Sequence, residues 1–340
     1  LYDVLKKDHK DAVVLASEIE DEQIPYISTG LVSLDYALLG IGGIPTRRII
    51  SIWGKEASGK STLTYKIISA YQNKMAKDDT NFPVFIDAEE AIDINHVKLL
   101  GVDTNKLILY PNPSVSRTSF VSGEEKVDFA LKAIEFGAPL VIVDSLAAIQ
   151  TKAKAEDSPG ARHPGGGAFL QTHLIRSASE KLRPFNSTLI VVNHGTTPFG
   201  QGGMFQIQQQ KGAEIMKFLQ STEIHLSPGK QLKIGEKKVG KDVYVTIKKN
   251  KVAPPFNKHT YRLINKVGFD AFHDLMFTGE EMGIIKRSGN SITFDGIKSE
   301  AKVTKGPKAS SQFKQFLKQI GADKAKELKQ AIINKCKESN

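Results

Sequence analysis

The chain carries a single cysteine, Cys336. No disulfide can close within it, and no cysteine-based zinc site can be built from it. This fits a reducing, cytoplasmic setting, whether bacterial or that of a host cell. No apolar run approaches the roughly 18 residues that read as a membrane span, so no membrane partner is expected. Disorder is also excluded by composition. Apolar residues make up 40% and charged residues 25%, enough to bury a core. A length of 340 residues fits one large domain plus a smaller one. Acidic residues fall short of basic ones, leaving a formal charge of +10, and the imbalance is local. Residues 241–340 hold 20 Lys and Arg against 10 Asp and Glu, whereas residues 1–240 hold 27 of each. Residues 296–340 alone carry 11 Lys against 4 acids. A basic segment of this kind points either to a polyanion partner, nucleic acid first among them, or to a solvated lysine face.

Residues 1–25 read as a short charged helix and linker. Short apolar, β-branched runs then alternate with helical patterns. Strands are predicted at Arg48–Trp53, Phe82–Ile86, Lys106–Tyr110, Leu140–Val143 and Thr188–Val192. Helices are predicted over about 60–75, 93–100, 124–136 and 168–183. Continuous apolar strands separated by helices mean a mostly parallel sheet covered on both faces, an α/β architecture. Two long Gly-rich stretches, 155–167 and 195–212, interrupt the rhythm near the ends of the last two parallel strands, where open α/β sheets bind ligands. Further strands are expected at Thr222–Leu226 and Val243–Lys248. A Gly/Lys/Ser-rich link near 298–311 precedes a basic amphipathic helix or helix pair at 312–337.

Gly54-Lys55-Glu56-Ala57-Ser58-Gly59-Lys60-Ser61 matches G-x-x-x-x-G-K-[ST], set between a predicted strand and a predicted helix. The glycines let backbone N–H groups turn inward around phosphate oxygens, and the helix that continues through Thr62 adds its positive N-terminal dipole. Lys60 would reach the β- and γ-phosphates of a nucleotide such as ATP, and Ser61 would ligate Mg²⁺. The strand Leu140-Val-Ile-Val-Asp144 ends in an acid that can hold the same Mg²⁺ or its water. Asp87, Glu89 and Glu90 end the neighbouring strand. One of them could orient the attacking water, and the pattern does not choose among them.

These motifs, in this order, carry a specific resemblance to the RecA recombinases of bacteria and their phage relatives. Ser28-Thr-Gly30, Ser33-Leu-Asp35 and Gly42-Gly-Ile-Pro45 resemble the segment before that family's phosphate loop. Phe85-Ile-Asp-Ala-Glu-Glu-Ala-Ile-Asp93, Val141-Ile-Val-Asp-Ser-Leu-Ala-Ala148 and Lys248-Lys-Asn-Lys-Val-Ala-Pro-Pro-Phe256 resemble three further family runs. The resemblance spans about residues 26–275. It implies a RecA-type ATPase core over residues 26–268, a short N-terminal segment (1–25) for subunit contact, and a small basic α+β C-terminal domain over 269–340. Glu89 then takes the place of the residue that activates water. Asp93 takes that of the aspartate meeting the adenine amino group, and His96 that of a stacking tyrosine. Lys249 and Lys251 match a lysine pair reaching a neighbouring subunit's γ-phosphate, and Lys217-Phe218 match an interface position.

The two Gly-rich stretches match the family's DNA loops, L1 (155–167) and L2 (195–212). In L1 and the helix after it, Arg162, His163, Gly165, Gly166 and Arg176 are the expected DNA contacts. In L2 they are Thr196, Thr197, Phe199, Met204, Phe205, Lys211 and Gly212. Glycine N–H groups suit phosphates, and the aromatic and methionine side chains suit base stacking or wedging. There are departures. His194 stands where the family has a γ-phosphate-sensing glutamine, and it is expected to keep that role with a pH-dependent coupling. Phe169 stands where an arginine is usual, and an acidic tail is replaced by lysines. The implied function is ATP-dependent strand exchange by a helical homo-oligomer on single-stranded DNA. The basic C-terminal domain would gather duplex DNA, with ssDNA-binding and mediator proteins as further partners. The rival on the same core is a hexameric helicase or branch-migration ATPase, which normally brings a module for which this chain has no room.

Overall fold

The computed structural model describes every residue except 19–23, 78, 115–120, 153–165, 197–208, 211–213, 256 and 340. The central sheet is built around β3 (Ile49–Gly54), whose six residues are all buried. It pairs in parallel with β7 (Leu189–Thr196) on one side and β9 (Thr222–Ile234) on the other. Beyond β7 lie β6 (Val141–Asp144), β4 (Val84–Asp87) and β5 (Ile108–Tyr110), all parallel. Beyond β9 the sheet turns antiparallel through β10 (Lys237–Asn250), β11 (Lys258–Ile264) and β12 (Gly268–Phe269).

Side chains alternate across a strand, so each apolar run feeds two cores. Ile50, Ile52, Ile142, Ile190 and Val192 face one core, with Leu63, Ile67 and Ile68 of the helix α2 (Lys60–Gln72). Ile49, Val141, Val143, Leu189 and Val191 face the other, with Val127 and Ile134 of α4 (Gly123–Glu135) and Leu174 and Ile175 of α5 (Gly166–Lys181). This two-sided cover is why the core strands read as unbroken apolar runs. A capping box starts α4. Ser122 Oγ accepts from the Glu125 amide at 3.2 Å, and the Glu125 carboxylate accepts from the Ser122 amide at 2.9 Å.

Three segments differ from the sequence-based expectation. The hairpin β9–β10 runs far beyond 222–226 and 243–248, because its outer half is solvated and polar and leaves no apolar alternation to read. Gly166 and Gly167 form the first turn of α5 rather than the end of a loop. The flanks of the second Gly-rich stretch pair, with Gly195–Thr196 of β7 lying against β8 (Gln209–Gln210).

A third core forms the C-terminal unit. It unites α7 (Ala271–Glu281), the three-stranded sheet β13 (Lys286–Ser288), β14 (Ser291–Phe294) and β15 (Ile297–Lys298), and α8 (Ala309–Glu338). Gly321, with φ 82° and ψ 165°, breaks α8 into two helical halves, so the helix-pair alternative describes it well. The unit packs on the turn Ser33–Leu38 that precedes the phosphate loop, burying Val32.

Buried polar groups stitch that joint. The Ser33 amide donates to Asp274 at 3.3 Å, its hydroxyl also meets Asp274, and Ser33 Oγ lies 2.7 Å from Tyr261 Oη. Asp35 accepts from the Ser28 hydroxyl at 2.5 Å and from the Thr29 amide at 2.8 Å. Burial outweighs these donors, pushing the Asp35 carboxyl up to about 7 and that of Asp274 up to about 6. A carboxyl with a raised folded pKa contributes stability that is fully present below its unfolded value and is lost as pH rises through the folded one. Asp35 should therefore contribute at most about 4 kcal/mol that is lost as pH rises from 4 to 7, while His225, His259 and His273, whose pKa values burial lowers to about 4, act in the opposite sense over that range. The urea midpoint of Asp35→Asn should accordingly rise relative to that of wild type between pH 4 and 7, and a constant difference would count against the assignment.

Candidate active site at the carboxyl ends of the parallel strands

Register brings the motif residues together. Gly54 pairs with His194 on one side and Leu226 on the other, and Asp87 pairs with Asp144. The carboxyl ends of β3, β7, β6 and β4 thus form one ledge, the place where open α/β sheets bind ligands. The loop after β3 bends through Ala57 at φ 55° and Gly59 at φ 94°, and Gly59 caps α2. At Gly59 a side chain would be strained by that φ, and its Cβ would also lie 3.0 Å from Leu263.

Lys60 is buried and ties the loop together, donating to the Gly54 carbonyl at 3.2 Å and the Lys55 carbonyl at 3.0 Å. Burial lowers its pKa, and the carboxylates of Asp144, Glu89 and Glu56 oppose that shift. Burial likewise pushes the Asp144 carboxyl up to about 6, against the Ser61 hydroxyl, which hydrogen-bonds it, and the Lys60 ammonium. Ser58 Oγ is buried with no protein partner. An orphaned hydroxyl, an ammonium and the start of a helix fit an anion such as phosphate. Ser61 and Asp144 supply hard oxygen donors that suit Mg²⁺, which would take its other ligands from phosphate and water.

The structure separates the three acids that the pattern left open. Asp87 accepts from the Ile92 amide at 2.9 Å, and Glu90 pairs with Lys126 at 3.0 Å. Glu89 instead faces the ledge. Ser145 Oγ donates to it at 2.6 Å, and His194 Nε2 lies 3.0 Å from the same oxygen. Burial works to raise its pKa, but the bonds from Ser145 and His194 and the charge of Lys60 hold it below the usual glutamate value. It is therefore an ionised acceptor, suited to orienting a water. His194 contacts Glu89 directly, which the sequence comparison with glutamine could not reveal. The Asp144–Ser145 peptide, which carries the Ser145 donor, is cis.

A cleft of about 320 Å³ adjoins the loop, lined by Gly59 to Thr62, His96, Leu100, Lys241, Leu263 and Asn265, among others. His96 is thus one wall of this cleft. Asp93 lies at the start of α3 (Ile94–Leu99), where its Oδ1 accepts from the Asn95 amide at 2.9 Å and the His96 amide at 3.3 Å. Sequence reasoning missed Lys241, whose ammonium reaches the Ala57 carbonyl from the β9–β10 hairpin. No motif marks it, since the contact depends on a hairpin longer than the pattern showed.

Lys249 and Lys251 lie elsewhere. Lys249 pairs with Glu223, which pairs with Ser51, so both lysines sit toward the amino end of β3, away from this chain's own loop. Lys249 donates to the Lys217 carbonyl at 2.6 Å, and Lys251 to the Phe218 carbonyl at 3.3 Å, at the end of α6 (Ile215–Leu219). Phe218 is 70% exposed beside them. Of the expected DNA contacts, Arg176 is exposed on α5, Gly166 opens that helix and Thr196 ends β7. Arg162, His163, Gly165, Thr197, Phe199, Met204, Phe205, Lys211 and Gly212 lie outside the described residues.

Fold and loop define a P-loop nucleotide-binding protein with an ATPase-type site. A profile of the RecA N-terminal domain matches residues 1–270. Protein RecA of Wolinella succinogenes is 33% identical over 325 residues, 95% of this chain and 87% of that protein. Protein RecA of Helicobacter pylori is 35% identical over 291 residues, 85% of this chain and 80% of that protein. The crystal structure of the RadB recombinase superposes with a TM-score of 0.50 at 19% identity, covering 72% of this chain and 98% of that one, a likeness of fold. The chain belongs to the RecA family of ATP-dependent DNA recombinases.

Glu89→Gln should lower DNA-stimulated nucleotide hydrolysis by about 10²–10⁴-fold, the range for a lost general base. Nucleotide affinity, read by fluorescent-analogue titration, should change little. Hydrolysis within a few-fold of wild type would remove Glu89 from the role.

Proposed function

We infer that the protein is a DNA strand-exchange ATPase whose nucleotide is shared between neighbouring subunits of a helical filament on single-stranded DNA. The observation that carries this reading is the position of Lys249, Lys251 and Phe218, grouped at the end of the sheet opposite the phosphate loop. A lysine pair whose hydrogen bonds among the described residues go to backbone carbonyls is available to an anion presented by another copy. Repeated head-to-tail contact of this kind generates an open helix when its rotation does not close a ring.

One subunit contributes the Lys60 loop to the phosphates of ATP, with Ser61 and Asp144 for Mg²⁺. When bound, Mg²⁺ neutralises developing charge on the phosphoryl oxygens. Glu89, ionised and held by Ser145, orients the attacking water and takes up its proton. His194, bonded to the same carboxylate and followed by Gly195 and Thr196 of β7, carries the state of the γ-phosphate toward the second DNA loop. The neighbour's Lys249 and Lys251 grip the γ-phosphate, so hydrolysis weakens the interface and releases DNA. This is a ligand favouring one state over another. The N-terminal helix α1 (Tyr2–His9) buries none of its residues in its own chain, which suits a role in subunit contact. Base stacking and backbone phosphate contacts from L1 and L2 hold single-stranded DNA, while duplex DNA is gathered by lysines of the C-terminal domain and mediator proteins load the filament.

Negative-stain imaging with single-stranded DNA and a slowly hydrolysed ATP analogue tests the arrangement. Wild type should form helical filaments, and Lys249→Ala/Lys251→Ala should not. Persistent filaments in the double variant would refute the cross-interface role, and none in the wild type would refute the recombinase reading.

A further inference from the structure

The basic excess of the C-terminal end is not uniformly available. In the second half of α8, Lys324 bridges Asp295 at 2.6 Å and Glu327 at 2.8 Å, Lys335 bridges Glu338 at 2.9 Å, and Lys326 lies 3.8 Å from Asp323. Other lysines without an ion pair among the described residues cluster at the other end, and part of that charge comes from outside the C-terminal domain. Between the outer end of the β9–β10 hairpin and the first turns of α8 lies a groove of about 590 Å³. Lys237 and Lys238 of the hairpin, Lys266 of the β11–β12 turn and Lys314 of α8 line it, and none of the four makes an ion pair among the described residues. The groove has one lining carboxylate, Asp270, which already accepts from the His273 amide at 3.1 Å and from the Ser310 hydroxyl. Glu236 lies in the hairpin turn beside it. The link into α8 is held in place by Arg262, which donates to the Gly306 carbonyl at 2.8 Å and also meets that of Lys305.

The floor is apolar. Ile234, Val239, Ile264 and Val267 line it, with Ile234 46% and Val267 60% exposed. Phosphate oxygens would satisfy the lysines and leave these side chains wet. A peptide that combines carboxylates with an apolar residue would satisfy both, burying apolar surface while its acids meet the rim. We propose that this groove docks an acidic peptide segment of a partner protein, anchored by an apolar side chain over Val267 and Ile234. The groove adjoins the nucleotide cleft, sharing Ile264, Asn265 and Lys266 with it, whereas Lys237, Lys238, Val267 and Lys314 line the groove alone, so it adds a protein-recruiting site to a DNA-binding enzyme.

Fluorescence anisotropy with the full chain tests it. The probe is a labelled seven-residue peptide, Glu-Asp-Glu-Asp-Leu-Phe-Glu. Two analogues accompany it, one with Gln and Asn for the acids and one with Ala for Leu-Phe. The acidic probe should bind saturably. Each analogue should bind at least about tenfold more weakly, and so should the acidic probe on Lys237→Glu/Lys238→Glu. The milder Lys237→Gln/Lys238→Gln should fall between, and single-stranded-DNA-stimulated ATP hydrolysis should be preserved in both variants. Four binding outcomes would each overturn the proposal. They are no saturable binding, binding unaffected by the lysine changes, equal binding of the Ala analogue, or a 20-base-pair duplex that displaces the probe with the same lysine dependence. The last outcome would assign the groove to DNA. Loss of DNA-stimulated hydrolysis in the charge-reversed variant would also overturn it, since the surface would then belong to the enzyme's own cycle.

Discussion

The parallel pairing of β3 with β7 and β9 is the constraint on which the rest depends. It sets Gly54 beside His194, and the adjoining pairing of β4 with β6 sets Asp87 beside Asp144. Because side chains alternate, a one-residue slip of β3 would exchange Ile50 and Ile52 for Ile49 and Ser51 in the first core and tilt the loop off the ledge. Register is therefore held by two hydrophobic cores at once, each with buried Ile, Leu or Val side chains worth about 1.5–3 kcal/mol apiece. The chemistry uses that rigidity. Lys60 is tied to Gly54 and Lys55, and Glu89, the carboxylate proposed to orient water, is fixed by Ser145 and His194.

The second organising feature is the long hairpin. At its outer half Lys241 reaches the Ala57 carbonyl of the phosphate loop, and at its other end Lys249 and Lys251 meet the carbonyls of α6. One element thus touches this chain's own nucleotide cleft at one end and presents cations to the opposite side at the other. Near its foot, Trp53 of β3 donates to Glu223 at 2.8 Å and Gln220 donates to the same carboxylate at 2.7 Å, tying the strand beside Lys249 to the strand that carries the loop.

Much of the fold was legible because burial on both faces leaves continuous apolar runs. β3, β4, β6, β7 and helices α2, α4 and α5 lie within a few residues of their expected bounds. The phosphate loop was legible because its glycines and lysine answer a local backbone need. The hairpin was not, because solvated antiparallel strands need no apolar alternation. The choice of Glu89 over Asp87 and Glu90 rested on resemblance, since only tertiary contacts distinguish three neighbouring acids. Charge arithmetic placed all of the excess after residue 240, yet Lys237 and Lys238 join Lys266 and Lys314 across that line. Composition counts residues along the chain, whereas a surface is assembled across it.

The central claim is that each nucleotide site is completed by a second copy of the chain. Mixing two inactive variants tests it most directly. Lys60→Ala lacks the loop ammonium, and Lys249→Ala/Lys251→Ala lacks the reaching pair. Among randomly mixed neighbours on single-stranded DNA about a quarter of contacts pair an intact loop with intact lysines, so DNA-stimulated hydrolysis should recover toward about a quarter of the wild-type rate. A mixture as inactive as its components would show that each site works within one subunit and would contradict the account.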